Sequence, residues 1–222
     1  MITAETTTET PHAAMVDVLE EEIVLGWLQP RERLVEEELT RRFATKRHLV
    51  REAIFELERM GLVERVPNKG AVVRSLDPVE VRQVYDVRIA LETLAAELIP
   101  LPAPAEILDD LCSIQTRHAA AVEAGDPRAA FHANMAFHNA IFAACGNPYL
   151  VDLISQSAKK VHGARSLTAV DPVYLRRACE EHWAMIEAMK TGDRPRLAAL
   201  FRDHILPSRD VYLARFGWRT ST

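Results

Sequence analysis

Thr45-Lys46-Arg47-His48-Leu49-Val50-Arg51-Glu52-Ala53-Ile54-Phe55-Glu56-Leu57-Glu58-Arg59-Met60-Gly61-Leu62-Val63-Glu64-Arg65-Val66-Pro67-Asn68-Lys69-Gly70-Ala71-Val72-Val73 is the stretch whose reading decides the fold. Val50, Ala53, Ile54 and Leu57 fall at i, i+3, i+4 and i+7, the spacing of one apolar helix face. Gly61 suits a left-handed helix stop. Leu62–Val66 and Ala71–Arg74 are β-branched-rich runs around the turn signal Pro67-Asn68-Lys69-Gly70, which predicts a hairpin with a basic tip. Upstream, Val35, Leu39 and Phe43 recur every four residues and predict a short helix over Leu34–Phe43. Ala44-Thr45 is the tight connection, with Thr45 as the expected N-cap. Helix, turn, second helix and hairpin in this order outline a winged helix-turn-helix.

The charge on the second helix points the same way. Arg47 and Arg51 are four apart and share a face, and Lys46 and His48 lie at the helix start. A recognition helix needs donors near its N-terminus, where it enters the major groove. The arginine fork pairs with guanine O6 and N7 or with phosphate oxygens. Two arginines alone would equally suit a solvated surface helix. The ordered set of elements favours duplex DNA.

Working outward, the 222 residues allow one large or two small domains. The formal net charge of −5 is uneven. Residues 1–30 hold six acidic groups and no Lys or Arg, whereas residues 31–75 hold 11 Lys+Arg against 8 Asp+Glu. A local basic excess fits a DNA reader attached to a domain with another task. Cys112, Cys145 and Cys179 form no Cys-x-x-Cys and suit a reducing cytosol. Residues 1–12 are polar, Thr/Glu-rich and unlike a signal peptide, so a loose arm is expected there. Ala129–Val151 lacks charged residues, but two His, three Asn and the Gly146-Asn147-Pro148 break argue for a buried core helix and a turn, not a membrane span.

A first helix is predicted over about 13–28, with Val16, Leu19, Ile23 and Trp27 as its stripe. Ser75–Glu80 is the expected boundary between a winged domain over 13–75 and a helical domain over 76–222. Asp77 there can N-cap, Pro78 fits the first helical position and Glu80 completes a capping box. Beyond it no strand is expected. Helices are predicted at about 78–98, 105–124, 128–145, 148–165, 172–190 and 194–216, divided by Pro and Gly punctuation. The expected class is therefore mostly α: an N-terminal winged helix-turn-helix, then an all-α bundle of about six helices with room for an internal pocket.

Glu32-Arg33-Leu34-Val35-Glu36-Glu37-Glu38-Leu39, Val50-Arg51-Glu52-Ala53, Leu57-Glu58, Gly61-Leu62-Val63 and Pro67–Val73 together closely resemble the GntR-type bacterial transcription regulators. Leu76-Asp77-Pro78, Tyr85-Asp86-Val87-Arg88 and Leu91-Glu92 resemble the helical effector-binding FCD domain of their FadR-like branch. The resemblance spans roughly residues 13–216. It implies a cytoplasmic, homodimeric, ligand-responsive regulator of operator DNA. It also implies DNA contacts from Arg47, Arg51 and the wing tip Asn68-Lys69-Gly70. The chain departs from the family's usual Ser-Arg-Thr-Pro-Val-Arg-Glu, having Lys46-Arg47-His48-Leu49-Val50-Arg51-Glu52. It also has Pro30-Arg31 where Pro-Gly is usual. Lys46 and His48 add donors, so its operator is expected to differ from those of relatives.

In metal-binding members of the group, an Asp-x-x-x-His pair and two later histidines hold a divalent cation. His138, His182 and His204 match those histidines, with the last two 22 residues apart. Asn134, one turn before His138 and about 6 Å along the axis, replaces the aspartate. A neutral carbonyl oxygen then stands where a charged one is usual, so affinity for Zn²⁺ or a similar transition metal should fall. An anionic effector binding the metal would supply the missing charge. Arg88 is either a carboxylate-binding pocket residue or an i,i+4 ion-pair partner of Glu92. His12, His118, His132 and His162 match no motif and are expected to be surface or packing residues.

Two other functions compete. A metal sensor would keep the DNA domain and make the metal itself the signal. A histidine-based metalloenzyme would need an open coordination position and a general base. There is no His-Glu-x-x-His, and Glu180 and Glu181 are expected to point off the face that carries His182. No enzymatic activity is therefore expected.

Overall fold

Met15, Val16, Leu19 and Ile23 recur on one face of the first helix, α1 (Pro11–Val24), and all are buried. The structure, a computed structural model, describes residues 11–66 and 70–217. The predicted arm therefore lies almost wholly outside the described residues, as does the wing tip at 67–69. The chain divides into two units, Met1–Ile23 with Trp27–Ser75 and Val24–Gly26 with Leu76–Thr222.

In the first unit α1 is followed by β1 (Arg33–Leu34), α2 (Glu36–Arg42), α3 (Arg47–Arg59), β2 (Val63–Val66) and β3 (Gly70–Val73). The strands form an antiparallel sheet in the order β1-β3-β2, with Val63 opposite Val73 and Val66 opposite Gly70. Val50, Ala53, Ile54 and Leu57 of α3 are buried against α1 residues, Leu39 and the sheet residues Val63, Ala71 and Val73. Gly61 follows α3 with φ +79, the left-handed conformation expected of it.

Three local expectations are corrected. The first helix stops at Val24, and Trp27 is 49% exposed and not part of the stripe; Met15 fills that face instead. Gly26, at φ +71, turns the chain out of the helix first. Leu34 is not helical but pairs with Ala71 in the sheet, because a buried strand position takes a single apolar residue as readily as a helix does. The N-cap of α3 is Lys46, with no side-chain cap bond, and not Thr45. The turn before it is made by Ala44 at φ +47, a left-handed conformation that costs an L-residue roughly 1–2 kcal/mol.

The second unit holds α4 (Pro78–Leu98), α5 (Ala105–Ala124), α6 (Pro127–Ala143), α7 (Pro148–Lys160), α8 (His162–Arg165), α9 (Pro172–Thr191), α10 (Arg194–His204) and α11 (Leu206–Phe216). Five of these start alike. Asp77, Asp126, Asn147, Asp171 and Asp193 each accept a backbone N–H in the first turn, and each helix has a proline at its first or second position. The cap satisfies one orphan donor, and the proline removes another at a place where none is needed.

The bundle has more segments than the six expected. The run 148–165 breaks at Val161, leaving the short α8, and 194–216 breaks at Ile205. Pro207 explains the second break, since it can donate no N–H to the turn before it. The main core joins Ala95, Ala96 and Ile99 of α4 to Phe137 and Ile141 of α6, Met185 and Met189 of α9, and Leu197 and Phe201 of α10. Among the described residues no helix is long and apolar enough to cross a membrane.

Candidate functional site

Two constellations emerge, one in each unit. In the first unit Lys46, Arg47, His48 and Arg51 are all exposed at the N-terminal end of α3. The buried apolar stripe fixes this outcome: with Val50, Ala53, Ile54 and Leu57 inward, Arg47 and Arg51 must face solvent. Gly70 opens β3 at φ +75, where a side chain would be strained. Asn68 and Lys69 lie outside the described residues. A groove runs past Arg33, Glu36, Arg47, Arg51, Arg65 and Gly70. Glu36 lies within it and accepts from Arg47 Nε at 2.8 Å and Arg51 Nε at 3.0 Å.

In the second unit α6, α9 and α10 bring His138, His182 and His204 together, with one ligand-capable atom from each within 4.8 Å of the others. Nε2 of His204 is 3.4 Å from Nε2 of His182 and 3.3 Å from Nε2 of His138. Two nitrogens bound at 2.0–2.1 Å to one tetrahedral Zn²⁺ lie about 3.3–3.4 Å apart.

The outer partners set the tautomers. Nδ1 of His204 meets Glu181 Oε2 at 2.6 Å, and a carboxylate only accepts, so Nδ1 carries the proton. Nδ1 of His182 meets Gln115 Oε1 at 2.8 Å. The Gln115 amide orientation follows from its NH₂ group donating to the Cys179 carbonyl at 3.3 Å. In the neutral rings both Nε2 atoms are then bare lone pairs facing each other, an arrangement that a bound cation satisfies. Burial, first of all, pushes the pKa of His138 and of His182 well below the ordinary histidine range, and the neighbouring cationic groups push the same way. Both are therefore neutral, ligand-competent imidazoles at neutral pH. Phe137 stacks on His182 with centroids 4.0 Å apart and holds the ring in place.

Asn134 is buried one turn before His138, and both line a cavity of about 130 Å³ together with His204, Arg88, Lys159 and Arg165. Its remaining wall is largely apolar, including Phe131, Met135, Phe142 and Ile154. An apolar cavity of comparable size, about 150 Å³, holds benzene, so the space suits a ligand of only several heavy atoms. Arg88 makes the ion pair that the sequence offered as one of its two roles and stands in the cavity wall. Its partner Glu92 is 2.9 Å away, the two side chains 8% and 2% exposed.

One group at the site has no sequence signal and one takes a path that its helix position does not predict. Gln115 sits on α5, which no motif linked to the histidines. Glu181 was expected to point away, and along α9 it does diverge from His182. Its long side chain instead crosses to His204 on α10 while Arg177 Nε holds its other oxygen at 2.6 Å. Burial alone would raise the Glu181 carboxyl, but the hydrogen bonds and charges of His204 and Arg177 outweigh it and hold the pKa below the ordinary value. His118 takes the packing role of the two expected for it: it is fully buried, its ring centroid 5.1 Å from that of His182.

Comparison with known proteins covers both units. Residues 12–73 match the family described as bacterial regulatory proteins, gntR family, and residues 83–206 match the FCD domain. The chain is 30% identical over 205 residues to BphR of Paraburkholderia xenovorans, described as an uncharacterized HTH-type transcriptional regulator; the match covers 90% of this chain and 83% of that protein. It is 27% identical over 206 residues to the Escherichia coli HTH-type transcriptional repressor GlaR, covering 85% and 89%. Among solved structures, that of E. coli McbR/YncC has the same fold, with a TM-score of 0.76 at 20% identity over 93% of this chain and 99% of that one.

Proposed function

The chain belongs to the GntR family of bacterial regulatory proteins with an FCD domain, and from that premise we propose that it is a homodimeric regulator whose operator affinity is set by a small metal-bound carboxylate. Family membership makes it a DNA-binding transcription regulator and not an enzyme.

Arg47 and Arg51 read bases or phosphates in the major groove, with Lys46 and His48 beside them and the wing tip at Asn68, Lys69 and Gly70 following the backbone. Two copies read two half-sites one helical turn, about 34–36 Å, apart. His138, His182 and His204 hold a divalent transition metal, with the Asn134 carbonyl oxygen as a weak fourth donor. The metal, when bound, supplies a positive charge on which an anionic ligand can sit. Arg88 and the apolar wall then select a compact organic acid.

The observation that carries the metal reading is the convergence of three imidazole Nε2 atoms at 3.3 and 3.4 Å, two of them left bare by their outer partners. The charge count carries the anion reading. Three neutral imidazoles and an amide place no anionic donor on the ion, and the nearest carboxylate, Glu181, is held on the far side of the His204 ring, so an anionic ligand completes the site. Regulation follows if the ligand binds the DNA-competent and incompetent states with different affinity.

The test is elemental analysis of the purified protein, then fluorescence anisotropy on a duplex recovered by the protein from a randomised pool. Duplex affinity should change when Zn²⁺, Ni²⁺ or Mn²⁺ is supplied together with a panel of small carboxylates, and chelation should reverse the change. Protein that carries no metal and gains no thermal stability from any of the three ions would sink the metal part. A response to metal alone would make the ion the signal. Arg47→Ala or Arg51→Ala should abolish specific binding while the thermal midpoint stays put.

A further inference from the structure

Glu36 places a carboxylate in the middle of the DNA-reading face. One oxygen, Oε2, accepts from Nε of Arg47 and from Nε of Arg51. The arginine side chains remain 68% and 60% exposed, and Glu36 31%. Pairs this exposed contribute little to folding stability. A carboxylate here also repels phosphate and so weakens attraction to any duplex. Its presence therefore calls for another consequence.

The hydrogen-bond pattern supplies one. A guanidinium is a planar fork with Nε–H on one edge and the two Nη groups at its end. Glu36 occupies the Nε–H of both arginines. What each has left is the Nη end, the pair of donors that matches O6 and N7 of guanine. The shared oxygen also fixes the two forks relative to each other, which removes rotamer freedom before DNA arrives. The hydrogen bond from Arg47 outweighs burial and holds the Glu36 carboxyl below its ordinary pKa, so the anchor stays ionised.

We propose that Glu36 is a positioning residue that sets the sequence discrimination of this regulator by holding Arg47 and Arg51 together, at the expense of general affinity for DNA. The proposal rests on the DNA-reading role of α3 given above. It uses the usual logic of specificity, in which one group weakens all complexes and strengthens the difference between them.

The experiment compares wild type with Glu36→Gln, Glu36→Ala and Glu36→Asp. Each is titrated against a duplex recovered by the wild-type protein from a randomised pool and against a scrambled duplex of the same length, over a series of salt concentrations. Gln and Ala should tighten scrambled-duplex binding and steepen its salt dependence, as freed arginines engage phosphates. The preference for the recovered duplex should fall by about tenfold or more, the worth of one bidentate base contact. Asp keeps the charge but is too short to span both arginines. It should lose preference without gaining scrambled-duplex affinity, which separates positioning from mere repulsion.

A preference unchanged within about twofold in all three variants, with both duplexes shifting in parallel, would overturn the proposal and leave Glu36 as a repelling charge only. A loss of preference seen only in variants with a lowered thermal midpoint would overturn it as well. A wild-type protein that recovers no preferred duplex is a different failure, that of the DNA-reading role itself.

Discussion

Replacing Glu181 by Ala removes the acceptor 2.6 Å from Nδ1 of His204 and leaves that ring free to rotate or to change tautomer. In the other tautomer the proton moves to Nε2, and the lone pair facing His138 and His182 is lost. Losing a hydrogen-bonding partner behind a metal-bound histidine typically weakens metal binding 10–100-fold, about 1.4–2.7 kcal/mol. The Glu181–His204 contact is short, and the two side chains are 17% and 10% exposed, so water replaces it poorly and the upper half of that range is expected. Glu181→Gln keeps an acceptor and should lose less. Arg177→Ala frees the carboxylate without removing it and should lose least. The assay is Zn²⁺ competition against a chelating dye, with thermal unfolding at a fixed metal concentration alongside. At 100 times the wild-type Kd the ion should stabilise wild type by about 2.7 kcal/mol, and a variant weakened tenfold by only about 1.4 kcal/mol. An unchanged Zn²⁺ affinity in Glu181→Ala would refute the assignment of His204 Nε2 as a metal-facing lone pair.

Three further outcomes are expected. Asn134→Asp adds an anionic donor one turn before His138 and should tighten metal binding by on the order of tenfold, read in the same dye competition; weaker binding would remove Asn134 from the site. Burial, first of all, lowers the His118 pKa to about 4, while the unfolded chain protonates near 6.5. Between these values the unfolded state binds the extra proton. Stability is thus fully present above 6.5 and falls by up to about 3 kcal/mol as the pH drops toward 4, with His138 and His182 adding in the same direction. Urea unfolding at a series of pH values checks this, and a flat profile contradicts it. Ala44→Gly relieves a left-handed residue at roughly 1–2 kcal/mol but adds about 0.5–1 kcal/mol of unfolded-state entropy, so a net gain of about 0.5–1 kcal/mol is expected by chemical denaturation.

Much of the fold was legible because its signals are local. The i, i+3, i+4, i+7 stripe of Val50, Ala53, Ile54 and Leu57 predicts both the helix and its buried face, and the observed α3 buries those four residues. The Asp-Pro and Asn-Pro pairs that open α4, α6, α7 and α9 mark their starts through backbone chemistry that needs no neighbour. Errors arose where a local signal had two readings. Leu34 is apolar and next to a helix, so it read as helical, but its partner Ala71 lies 37 residues on and makes it a strand. Trp27 continued a stripe that Gly26 had already ended.

The sequence by itself determined the mostly helical class, the winged helix-turn-helix outline and the three histidines at the spacing the family resemblance implies. Those are properties of periodicity, punctuation and residue type. Only the tertiary structure decided what the side chains do to one another. That Glu36 bridges Arg47 and Arg51, that Glu181 turns from its own helix to His204, and that Gln115 leaves His182 Nε2 bare all depend on elements far apart in the chain meeting within about 3 Å. A hydrogen bond fades over a few tenths of an ångström, and spacing along a chain carries no information at that scale once the residues sit on different helices.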